Sequence, residues 1–244
     1  MGSAALTPVV YRDRVDPLSS RPEVLAHYRR MRAISRGHNS AVVDRLPRDA
    51  LLRHGRRLGL AHGRTFIIDD HDELFYVFDL AVHASMPDRP SEIERYARSA
   101  KVAAGSDEAR MLDAMRCARF SIVQIVDRHP VAGLIARDTV RGLDLWLMDE
   151  GLEQSMTLDG VIATRLYALE EFCMTAGVIV PLDPETLVEA ISLVPFLRRK
   201  TLDEALSDRR LAEAFYRVAL FEGIAARTSY RDVPLSDEAA LAAG

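Results

Sequence analysis

Lysine is almost missing from this chain. Of thirty-two basic residues only Lys101 and Lys200 are lysines. The arginine excess reflects a GC-rich genome as much as function, so no single arginine can be read as chosen for its guanidinium fork. Cysteine is equally scarce. Cys117 and Cys173 lie far apart, which excludes paired cysteines at zinc spacing and a disulfide-dense scaffold. Two free, buried thiols in a reducing cytoplasm are expected. No apolar run approaches the roughly 20 residues that span a bilayer, and Met1 to Asp16 lacks the basic-then-apolar layout of an export signal. Thirteen glycines are scattered singly, without Gly-x-Gly-x-x-Gly or Walker spacing. A Gly-x-Ser-x-Gly elbow is absent, and neither cysteine has a histidine nearby in sequence, so nucleophilic catalysis has no support. Internal repeats and low-complexity tracts are absent too.

What remains is an ordinary globular composition, 48% hydrophobic and 28% charged over 244 residues, enough for one large domain or two small ones. The net charge of −4 is unevenly distributed. Between Arg21 and Arg64, eleven arginines stand against Glu23, Asp44 and Asp49, so the rest of the chain is strongly acidic.

Residues 1–20 read as a loose arm. Pro22 opens a helix with the apolar stripe Val24, Leu25, Tyr28, Met31 and Ile34. Pro47 opens a second helix that ends near Gly59. The run Leu74–Ala84 follows four acidic residues and is apolar nearly all round, fitting a buried helix or a strand. Ser91 with Glu94 forms a capping box, and a further helix covers Asp107–Arg119. The period then changes. Phe120–Asp127, Gly133–Val140, Leu143–Asp149, Val161–Leu169 and Phe172–Leu182 read as five strands, most of them separated by tight turns. Asp183-Pro184-Glu185 starts a helix, and the capping box of Thr201 and Glu204 opens another reaching Glu222. Residues 229–244 read as a tail. The fold expected is α+β: a helical region over 21–118 with the basic block at 21–64, a β-unit over 119–182 and C-terminal helices over 183–228. The β-unit would be a five-stranded antiparallel sheet or small open barrel, whose exposed edge could pair across a dimer.

The layout resembles a family of uncharacterised bacterial proteins. The stretches that carry the likeness are Tyr28-Arg-Arg-Met-Arg-Ala-Ile-Ser-Arg, Arg45-Leu-Pro-Arg-Asp-Ala-Leu, Arg56-Arg-Leu-Gly-Leu, the run from Asp107 to Ile125, and Thr164-Arg-Leu through Ala176-Gly-Val-Ile-Val-Pro. Some look-alikes carry a cysteine-rich metal-binding tail that this chain lacks. The resemblance implies a bacterial, cytoplasmic protein and transfers no activity.

Two constellations could carry chemistry. Arg29, Arg32, Arg36, Arg53, Arg56 and Arg57 cluster on the outer faces of the first two helices. They could contact an acidic protein or nucleic acid, or dock the chain's own acidic remainder. Asp72, Asp79 and His83 are spaced seven and eleven apart, on one face if Leu74–Ala84 is helical, and such a set can bind a divalent metal. His71-Asp72 superficially resembles the pair of HD-type phosphohydrolases. Helix capping by the acidic run, with Asp79 paired to His83 or an arginine, accounts for the same residues without a metal. Arg165 and Trp146 are the only hints of a small ligand within the β-unit. The expectation is a non-catalytic intracellular binding or adaptor protein using the arginine-rich helices and no cofactor. The alternative is a metal-dependent hydrolase using Asp72, Asp79 and His83.

Overall fold

The computed structural model describes residues 20–85 and 89–224. The arm expected over 1–20 (all but Ser20) and the tail over 229–244 lie outside them. Pro22 and Glu23 open α1 (Arg21–Val43), where the Glu23 carboxylate accepts the Ser20 N–H at 2.9 Å. Pro47 precedes α2 (Arg48–Leu58), which Gly59 ends with a left-handed φ of 84°. A short hairpin follows, β1 (Ala61–His62) with β2 (Thr65–Phe66). The ambiguous apolar run is helical: α3 (Glu73–His83) buries Tyr76, Val77 and Leu80 to Val82. Next come α4 (Glu92–Ala97) and α5 (Asp107–Arg116), each capped by a serine side chain.

Five strands then follow: β3 (Arg119–Arg128), β4 (Leu134–Asp138), β5 (Leu143–Met148), β6 (Val161–Ala168) and β7 (Cys173–Leu182). Between β5 and β6 lies a helix the sequence reading missed, α6 (Glu150–Ser155), capped by Asp149. The sheet is mixed, not purely antiparallel, and it closes on itself in the order β3-β4-β5-β7-β6. Parity explains the mixture. A ring of five strands cannot alternate direction throughout, so one neighbouring pair must be parallel. That pair is β5 with β7, through Leu147 opposite Cys173 and Met148 opposite Met174. Because the ring returns to β3, which pairs with both β4 and β6, the five-stranded sheet has no open edge among the described residues.

Alternation sorts the strand side chains into layers. Val123, Ile125, Leu134, Leu145, Ile162 and Ile179 fill the ring, with Leu152 of α6 packed against them. Outward residues of β3, β6 and β7, with Phe172 just before β7, take up the helices. One cluster joins α1 and α5 to Tyr167, Phe172 and Met174. The other joins α3 and the C-terminal helices to Phe120, Ala163 and Val180. Each large side chain buried this way contributes about 1.5–3 kcal/mol.

The C-terminal part comprises α7 (Pro184–Ser192), a 3-10 turn (Pro195–Arg199), α8 (Leu202–Leu206) and α9 (Arg209–Phe221). The single helix expected from Thr201 is thus two. Asp208 breaks it, its carboxylate accepting the Arg210 N–H at 3.1 Å to cap α9. Both cysteines are free, as expected, but only Cys173 is buried. Cys117 is exposed just beyond the end of α5. Among the described residues, no helix is long and apolar enough to cross a membrane.

Candidate functional site

Asp79 is the polar residue of an apolar helix, and α3 buries it against β6 and α9. Arg165 grips it with both ends of its fork, Nε to Oδ1 at 2.9 Å and a terminal nitrogen to Oδ2 at 3.0 Å. Tyr216 donates its hydroxyl to Oδ2 at 2.7 Å. Burial opposes the charge on Asp79. The charge and hydrogen bonds of Arg165 outweigh it, with His83 and Tyr216 adding to them, so the carboxyl sits below its ordinary range. Burial and the Asp79 charge push the Tyr216 hydroxyl well up. His83, one turn along α3, is within 3.0 Å of the Tyr167 hydroxyl through Nε2. Burial, then the Arg165 charge, lower its pKa to about 3. It is a half-buried histidine, neutral at physiological pH.

Asp72 does not join this group. Seven residues is two helical turns, about 10 Å along the axis, so sharing a face is not sharing an ion. Asp72 lies at the α3 N-terminus, with its N–H on the Asp70 carboxylate at 3.0 Å. Among the described residues, no three His, Cys, Asp or Glu side chains could hold a metal ion. Asp72, Asp79 and His83 form no such group, and both carboxylate oxygens of Asp79 are taken up by Arg165. The small-ligand hints are likewise engaged. Arg165 holds Asp79, and Trp146 stacks on His129 at 3.9 Å while donating to the Ala132 carbonyl at 2.7 Å.

The arginine block divides between two helices. On α1 three arginines reach α6 and its cap. Arg21 meets Glu153 at 2.7 Å, Arg29 meets Glu150 at 2.8 Å and Arg32 meets Asp149 at 3.0 Å. Arg32 also donates to the Tyr28 hydroxyl and to the Thr175 carbonyl, at 3.0 and 2.6 Å. Thr175 donates to Asp149 at 2.5 Å. Arg29 and Arg32 thus tie α1 to α6 and its cap, Arg29 through an exposed ion pair and Arg32 with a largely buried side chain. Arg36 is exposed farther along α1.

On α2 the pattern differs. Arg56 donates to the Gly63 carbonyl, at 3.1 and 2.9 Å, and Arg53 is exposed. Arg57 approaches Oε2 of Glu213 on α9 at 3.6 Å, and Arg209 approaches the same atom at 3.7 Å. Both distances are too long for a good hydrogen bond. Two guanidiniums therefore share one carboxylate oxygen, with Arg53 and His54 close by. Burial, then the charges of Arg57, Arg209 and Arg53, lower the His54 pKa to about 4. Its Nδ1 is buried without a hydrogen-bond partner. Arg209 itself is shifted down, by burial and by the charges of Arg57 and Arg210, with Glu213 and Asp208 only partly compensating. A cluster short of negative charge can accept an anion.

A family model matches residues 23–228, which run from the first turn of α1 past α9. The chain belongs to DUF7986, a family of unknown function. No curated protein and no solved structure matches it. Reading this DUF7986 chain by spacing grouped Arg53 with Arg57 but missed Arg209 and Glu213, which lie more than 150 residues away. No local signal connects them. Only the packing of α2 on α9 does.

Proposed function

We propose that this protein is a non-catalytic binding or adaptor protein that holds an acidic partner where α2 meets α9, through Arg53, Arg57 and Arg209. The observation that carries the reading is the single Glu213 oxygen approached by both Arg57 and Arg209. A second carboxylate would complete the neutralisation that Glu213 begins. An acidic protein segment fits better than nucleic acid, because the chain is acidic overall and the cluster presents no row of stacking aromatics. The reading places the protein in a bacterial cytoplasm, where free thiols such as Cys117 and Cys173 persist.

The test is titration of the whole protein with fluorescent polyglutamate and with a single-stranded oligonucleotide at several salt concentrations. Polyglutamate should bind at low salt and weaken steeply as salt rises. Joint Arg53→Glu, Arg57→Glu and Arg209→Glu reversal should abolish binding. Unchanged binding in that variant would sink the proposal, and preference for the oligonucleotide would replace the acidic protein with nucleic acid.

A further inference from the structure

The accessible side of α9 continues past the basic cluster. Arg209, Glu213, Arg217 and then Leu220 and Phe221 recur at helical spacing, while the residues between them, apart from the exposed Arg210, are buried. The strip is basic at one end and apolar at the other. At the apolar end an open groove of about 390 Å³ lies between the end of α2 (Leu58 to Leu60), Ile67 and α9. Two of its lining residues, Phe221 and Ile67, are 85% and 61% exposed, unusual for large apolar side chains without a partner. The α3 side of the groove carries Asp69 and Glu73, the α9 side Arg217. From Arg209 to Phe221 the helix rises about 18 Å, the length of five or six extended residues.

We infer that this strip docks a short segment of a partner protein, with one large apolar residue between Ile67 and Phe221 and carboxylates running along α9 to Arg217, Arg209 and Arg57. Charge complementarity fixes the direction. Acidic residues are repelled from Asp69 and Glu73 and drawn toward the arginine end. The inference rests on the acidic-partner reading and adds an apolar anchor to it, in the usual division between a buried anchor and a charged rim.

Two labelled hexapeptides separate the ideas when titrated into the full chain. One carries leucine followed by five acidic residues. In the other, serine replaces the leucine. The leucine peptide should bind roughly tenfold tighter, the gain expected from burying a large apolar side chain. Phe221→Ser, at an exposed position, should remove that gain and leave the serine peptide's affinity unchanged. Equal affinity of the two peptides, or a gain that survives Phe221→Ser, overturns the groove inference while leaving the acidic-partner reading intact. Binding of neither peptide overturns both. Sedimentation of the protein alone adds one more outcome: a dimer abolished by Phe221→Ser and undisturbed by the leucine peptide assigns the apolar end to a second copy and overturns the inference.

Discussion

The α1–α6 seam and the α2–α9 junction are built from the same residue type and are opposites. At the seam each arginine has its own carboxylate, Arg21 with Glu153, Arg29 with Glu150 and Arg32 with Asp149. At the junction Arg57 and Arg209 share Glu213. Counting arginines along the chain ranks α1 and α2 alike. Pairing separates them: complete pairing makes a structural joint, and incomplete pairing leaves a place for a partner. A charge surplus therefore indicates binding only where folding has not already neutralised it.

The largest effect should come from unpairing the seam. Arg32→Met removes a half-buried cation and leaves Asp149 charged among buried groups, with Tyr28 and the Thr175 carbonyl short of a donor. Removing one partner of such a pair costs about 3–5 kcal/mol. Urea unfolding should show a fall of that size with an unchanged slope. A loss below about 1 kcal/mol would place the seam with ordinary surface ion pairs and erase the contrast with α2–α9.

A smaller effect tests the junction through pH. His54 titrates near 4 in the folded protein, against an ordinary value of 6.5. A depressed histidine pKa means that the unfolded chain binds the extra proton, so stability is complete above about pH 6.5 and falls as pH drops toward 4. His83, near 3, acts in the same direction over a window that extends lower. His54 accounts for roughly 2–3 kcal/mol at most. The two histidines should separate when charge is removed nearby. Arg57→Gln with Arg209→Gln should raise the His54 pKa in an NMR titration and leave His83 unmoved, since its neighbours are Arg165 and Asp79. A fixed His54 would mean that burial and Arg53 set its value without Arg57 and Arg209.

Much of the frame was legible in the residues. The Pro22, Pro47 and Pro184 starts, the Thr201 capping box and the β-rich middle all declare themselves through local chemistry. The Asp208 cap was equally local and was overlooked because the apolar pattern runs straight through it. The parallel β5–β7 pair was not local, although five strands in a closed ring require one. Pairing of Asp79 with an arginine is among the readings the spacing offers, but Arg165 and Tyr216 come from other elements, so spacing alone does not choose between that pairing and a metal. Arg209 was invisible for the same reason. Its meaning depends on which helix it faces.

The smallest effect is also the most discriminating. Arg209→Gln alone should change stability by less than about 0.5 kcal/mol, or raise it slightly, because the ion pair it loses is long and its repulsion with Arg57 goes with it. Arg57 then has Glu213 to itself. A junction built like the seam would instead lose stability in proportion to the pair removed. The same variant should weaken polyglutamate binding and flatten its salt dependence, because one of three convergent cations has gone. Near-neutral folding with impaired binding is the pattern of a residue kept for a partner. A stability loss comparable to that of Arg32→Met, with binding untouched, would instead make Arg209 a second joint and leave α2 without a completed site.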